Sequence, residues 1–170
     1  MEADRIRPYV KDVVYGANDG IITTFAVVSG VVGAALPTRV ILVIGVASLL
    51  ADGLSMAASD FLASRSQAVV DETACPGRDA SPFMGALLTF VAFVVAGATP
   101  LAPYVFVRGR SDGLFLFAAG ATAAALFAVG ALRSLVTRRG FLRSGLEMLL
   151  IGGAAAVVAF GIGRGLGAVG

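Results

Sequence analysis

The 170-residue chain has no histidine, no tryptophan and one cysteine, and only 14% of its residues are charged. Without imidazole, His-based metal centres are excluded, including the His-containing zinc sites of many hydrolases. The single Cys75 excludes an internal disulfide, and beside Pro76 in a short polar stretch it reads as a plain loop thiol. A soluble domain of this length would carry about a quarter charged residues. In their place the chain is 58% hydrophobic, with 22 glycines and a mean hydropathy of +0.90. This is the composition of an integral membrane protein, and residues 1–170 are enough for a single transmembrane domain. Abundant glycine lets its helices approach closely, as packing in lipid requires. The slight positive balance, +2, does not mark a nucleic-acid binder. In a membrane protein, basic residues report orientation instead.

Polar breaks divide the chain into five apolar runs, each long enough to cross the hydrocarbon. They predict an all-α protein with transmembrane helices at roughly 12–35, 40–66, 83–107, 113–136 and 142–164. The first run is followed by four others and lacks a cleavage pattern, so it is not read as a removable signal. Pro100 and Pro103 are expected to kink or end the third helix. Five spans put the termini on opposite sides. Arg5, Arg7, Lys11, Arg65, Arg78, Arg133, Arg138, Arg139 and Arg143 fall on one side, and Arg39, Arg108, Arg110 and Arg164 on the other. The excess predicts a cytoplasmic N-terminus and a C-terminus across the membrane.

Two aspartates stand where a bilayer tolerates them poorly. Asp19 and Asp52 lie inside the first and second runs, where a carboxylate costs about 2.5–3.5 kcal/mol on insertion scales. Such residues face a protein interior or a water-filled path. At a rise of 1.5 Å per residue, Asp19 is about 12 Å inward from Lys11, and Met56 is about 14 Å inward from Arg65. The two are thus at similar depth. Asp52, Met56 and Asp60 are spaced i, i+4, i+8 and share one helix face. The series descends from Asp12 and Asp60 at an entrance, through Asp19 and Met56, to Asp52. Asn18, Thr23, Thr24 and Ser55 are candidate neutral oxygens along it.

Oxygen ligands alone suit magnesium, calcium or manganese, and a thioether shifts the preference toward ferrous iron. The same carboxylates can bind protons, so metal and proton can exchange at one site. Glu147, four residues after Arg143, either pairs with it or lines the path. No internal repeat is present, and five helices make a thin bundle, so a path between two copies of the chain is expected. Gly16-x-x-x-Gly20, around Asp19, would let two first helices meet.

These segments resemble the vacuolar iron transporter family. D-V-V-Y-G-A-N-D-G-I-I-T-T-F-A-V-V-S-G is similar to its first-helix signature, and L-A-D-G-L-S-M-A-A-S-D-F-L-A-S-R-S-Q to its second. R-S-G-L-E-M-L-L-I-G is similar to the opening of its last helix. The resemblance implies a five-helix protomer and a homodimer with its path at the two-fold interface. It also implies export of Fe²⁺ or Mn²⁺ from the cytosol against protons, the metal being substrate with no cofactor permanently bound. Asp19 and Met56 match the family's mid-membrane ligands, and Asp12 a carboxylate nearer the cytosol. Many members carry a glutamate-rich cytosolic domain between the second and third spans. Here about 16 residues, Gln67 to Pro82, stand in its place, with Asp71, Glu72 and Asp79 as its acids. Ser48 stands where members with that domain can carry a glutamate, and Asp52, one turn away, is a candidate replacement.

Two other functions would also place carboxylates in a membrane. A membrane-embedded metal-dependent enzyme of the lipid-headgroup transferase kind needs Asp-Gly followed closely by Ala-Arg. Asp19-Gly20 leads to Ile21-Ile22, and Asp52-Gly53 to Leu54-Ser55, so neither fits. A non-transporting, metal-sensing bundle stays open as an alternative, although a sensor usually carries a soluble output domain and residues 1–170 show none. The chain is read as a transporter and not an enzyme.

Overall fold

The computed structural model describes residues 9–74, 81–106, 113–137 and 140–169. Cys75, Arg5, Arg7, Arg78, Asp79, Arg108, Arg110, Arg138 and Arg139 lie outside the described residues. All regular structure among those described is helical: α1 (Val10–Gly33), α2 (Thr38–Ala74), α3 (Pro82–Gly97), α4 (Ala102–Phe106), α5 (Leu114–Thr137) and α6 (Phe141–Gly167). Among the described residues, three helical stretches are long and apolar enough to cross a membrane: Thr38–Gln67, Leu114–Ser134 and Phe141–Gly167. In α1 that apolar character is interrupted by Asn18 and Asp19. The helix α3 is apolar but has only 16 residues.

Two boundaries differ from the apolar runs. The third run is broken: α3 stops at Gly97, a turn follows through buried Pro100, and α4 restarts at Ala102. Proline has no N–H to donate and its ring clashes with the preceding turn, so the helix cannot run through. The second helix runs past Arg65 to Ala74, 37 residues or about 55 Å. Its segment up to Ala74 contains no proline or glycine after Gly53, so nothing ends it where hydrophobicity does. A helix of that length exceeds a hydrocarbon core of about 30 Å.

The α1–α2 connection is a Schellman turn. The Leu36 N–H donates to the Val31 carbonyl at 3.2 Å and the Ala35 N–H to the Val32 carbonyl at 3.0 Å. Ala35 takes φ 55°, the left-handed position where glycine is usual, and α2 starts directly after Pro37, whose missing N–H costs nothing at a helix's first turn.

The central helix is α1, which touches α2, α3, α5 and α6, while α2 also packs on α3 and α5 on α6. Bare backbone allows the closest approaches. Gly16 and Gly20 rest on the backbone of Thr89 and Phe93 in α3, and Gly97 of α3 on the Gly20 carbonyl. A Cβ at any of these would collide with a carbonyl. The Gly16-x-x-x-Gly20 face is therefore filled by α3 of the same chain, not by another first helix. The spacing marks a close contact without specifying its partner. Beyond these glycines the core is apolar and centres on Phe25, Val28, Leu49, Phe93 and Ala118. Phe25 stacks on Phe115 at 6.1 Å, joining α1 to α5.

Candidate metal path

The polar residues of α1 and α2 divide between two environments. Asp12 is 9% exposed and points from α1 toward α3. There Gly85 leaves an opening: a Cβ placed on it would lie 3.1 Å from Asp12 Oδ2 and 3.7 Å from Asp60 Oδ2. Carboxylates from α1 and α2 thus approach one point on α3. Asp60 is held by the Thr89 hydroxyl, which donates to its Oδ2 at 2.8 Å. Lys11 lies across from Asp12, Nζ to Oδ1 3.6 Å. This pair sits near the start of α1, Asp12 being the third residue of the helix.

Asp19 and Asp52 are placed otherwise. Both are exposed on the outer surface of the protomer, with Ser55 exposed beside them on α2. Thr23 lies one turn from Asp19 on α1, and Asp52 is near enough for its charge to act on Asp19. Asp19 lies about 13 Å along α1 from its first residue. Met56, half-buried, packs against the edge of the apolar core next to this face.

Three candidates fall elsewhere. Thr24 is 1% exposed and belongs to the packed interior. Asn18 borders a cavity of about 330 Å³ between α1, α5 and α6, which Lys11, Tyr15, Arg133 and Met148 also line. Its Oδ1 is buried there with no hydrogen-bond partner among the described residues. Glu147 is paired with Arg143, Oε1 to Nε 3.4 Å, one turn apart on α6. Among the described residues no three acidic or thiol side chains gather as a ready metal cage. The carboxylates stand in pairs, Asp12 with Asp60 and Asp19 with Asp52.

Gly85 and Thr89 were not read as site residues from the sequence. The signal that could have found them is their spacing, since they are one turn apart and Thr89 is a polar break in an apolar run.

A helical bundle with apolar spans and carboxylates distributed along two of its helices defines a multi-pass membrane protein of the transporter class. The model of the VIT family matches residues 10–76 and 68–164. The chain belongs to the VIT family, a family of transporters and not of enzymes. Vacuolar iron transporter homolog 5 of Oryza sativa subsp. japonica is 31% identical over 170 residues, covering 92% of this chain and 79% of that protein. Vacuolar iron transporter homolog 1 of the same plant is 30% identical over 168 residues, covering 91% and 72%. The vacuolar iron transporter of Toxoplasma gondii is 44% identical over 59 residues, 35% of this chain but only 20% of that protein's length.

Proposed function

We propose that this chain is one protomer of a homodimeric, five-span transporter carrying Fe²⁺ or Mn²⁺ out of the cytosol in exchange for protons. The path runs along the two-fold interface, and the N-terminus is cytoplasmic. The observation that carries this reading is the exposure of Asp19 and Asp52 together on one face of a membrane bundle. Facing lipid, each carboxylate would cost about 2.5–3.5 kcal/mol. A second copy, presenting the same face across a two-fold axis, removes both from lipid and doubles the oxygens around a shared space. Met56 at the edge of that face adds a soft donor, which suits ferrous iron, and the plant and parasite relatives are named for iron.

Along this path Asp12 and Asp60 form the entrance. Asp19, with Met56 beside it, holds the ion at mid-depth, and Asp52 shares it. When the ion leaves, the same carboxylates take up protons, which makes exchange a property of one set of groups. The metal and the protons are substrates, and no further cofactor is called for. The basic-residue asymmetry supports the orientation.

The test is flux in proteoliposomes containing the purified chain. The wild type is expected to move Mn²⁺ with opposing proton movement. Asp19→Asn, which keeps the shape and removes the charge, is expected to remain a folded dimer without transport. Wild-type flux through the Asn variant would take Asp19 out of the mechanism.

A further inference from the structure

We infer that Thr89 is a positioning residue for metal entry. Its hydroxyl fixes the Asp60 carboxylate opposite Asp12, and Gly85, one turn before it, keeps the space between them open. The inference rests on the reading of Asp12 and Asp60 as the entrance and adds the third helix to it.

Thr89 is 1% exposed on α3, and its hydroxyl reaches across to α2 to donate to Asp60 Oδ2 at 2.8 Å. A buried threonine on a helix can instead bond the carbonyl one turn back, as Thr122 does with Ala118 at 2.7 Å. Thr89 engages a carboxylate instead, and a hydrogen bond to an ionised acceptor is the stronger and more directional kind. It fixes Oδ2, the oxygen that faces the Gly85 gap, and leaves that oxygen's second lone pair for an ion. The backbone beneath Thr89 is pinned as well, because Gly16 of α1 rests on its carbonyl, so the helix bearing Asp12 and the residue orienting Asp60 are in direct contact. Gly85 completes the arrangement. Its missing Cβ would lie 3.1 Å from one carboxylate oxygen and 3.7 Å from the other, occupying the gap that a bridging cation needs. All of these residues belong to one chain, so each protomer carries its own entrance, apart from the exposed Asp19–Asp52 face.

The experiment measures half-saturating Mn²⁺ for flux into proteoliposomes, together with Mn²⁺ binding to the purified full chain. The variants are Thr89→Val, Thr89→Ser, Gly85→Ala, Asp60→Asn and, as a control, Thr122→Val. Thr89→Val is expected to raise half-saturation about tenfold, the scale of losing one charge-assisted hydrogen bond, with maximal flux little changed. Thr89→Ser should restore the wild-type value, and Thr122→Val, which also deletes a buried hydroxyl, should not shift it. Gly85→Ala, a change that favours helix, should raise half-saturation as well, and it carries the test if Thr89→Val does not fold. Unchanged half-saturation in both Thr89→Val and Gly85→Ala, with Asp60→Asn impaired, would overturn the positioning role and leave the entrance standing. An unimpaired Asp60→Asn would overturn both.

Discussion

Gly163 of α6 lies directly on the Gly30 carbonyl of α1. A side chain at Gly163 has nowhere to go, because the obstacle is backbone within a helix and cannot rotate away. Gly163→Ala is therefore expected to destabilise the protein by about 1–3 kcal/mol, the cost of overpacking. Gly153 lies on the same helix with nothing within 4 Å of its missing Cβ. Gly153→Ala should be neutral or slightly stabilising. Equilibrium unfolding in detergent compares the two, and equal stabilities would mean that the contact carries no weight.

Met56→Leu keeps the volume and the packing against the core but removes the thioether. Transport of Fe²⁺ should fall more than that of Mn²⁺, which relies less on sulfur. Competition flux with both ions measures the ratio. An unchanged ratio would make Met56 a packing residue.

Lys11 holds a cationic head 3.6 Å from Asp12, and if Asp12 forms the entrance it competes there with the arriving ion. Lys11→Gln should lower half-saturating Mn²⁺ by about two- to threefold at low salt, the scale of one exposed charge contact. The gain should fade as ionic strength rises and screening shortens the reach of the lysine charge. A gain that persists at high salt would need a cause other than charge.

Asp52 and Ser48 are one turn, about 6 Å, apart on α2. Ser48 is half-buried, and its hydroxyl donates to the Gly45 carbonyl at 3.3 Å. If Asp52 does the work that a carboxylate at position 48 would do, then Ser48→Glu with Asp52→Ala should recover part of the flux lost in Asp52→Ala alone. No recovery, with both proteins folded, would separate the two positions functionally.

The helices were legible because apolar runs bounded by Pro, Gly and Arg leave few alternatives. Pro100 and Pro103 marked the break in the third run, whereas the extension of α2 to Ala74 shows the limit: hydrophobicity tracks lipid, but helix ends track backbone hydrogen bonding. For Asp19 and Asp52, spacing along the chain gave their place inside two apolar runs. It could not say that both face outward, since facing depends on which neighbours cover a helix. The Gly16–Gly20 spacing marked a close contact but not that α3 fills it. Thr89 was the least legible, because a threonine in an apolar helix can satisfy itself on its own carbonyls. Only the arrangement of α2 against α3 reveals that it reaches Asp60 instead.

The glycine contacts around α1 also have a mechanical meaning. On one side α1 meets α3 backbone to backbone at Gly16, Gly20 and Gly97. On the other it meets α6 at Gly30, Gly33 and Gly163. Contacts of this kind do not slide, because a small displacement drives carbonyls into Cα atoms. The glycines of α2 instead meet side chains, Gly45 the Leu101 methyls and Gly53 the rings of Phe90 and Phe93, and these can change rotamer. During a transport cycle α1, α3 and α6 should therefore travel as one slab, with α2 as the member free to tilt. Spin-label distances across α1–α6 should stay constant between metal-loaded and metal-free protein while those from α2 to the slab change. The opposite pattern would place the joint elsewhere.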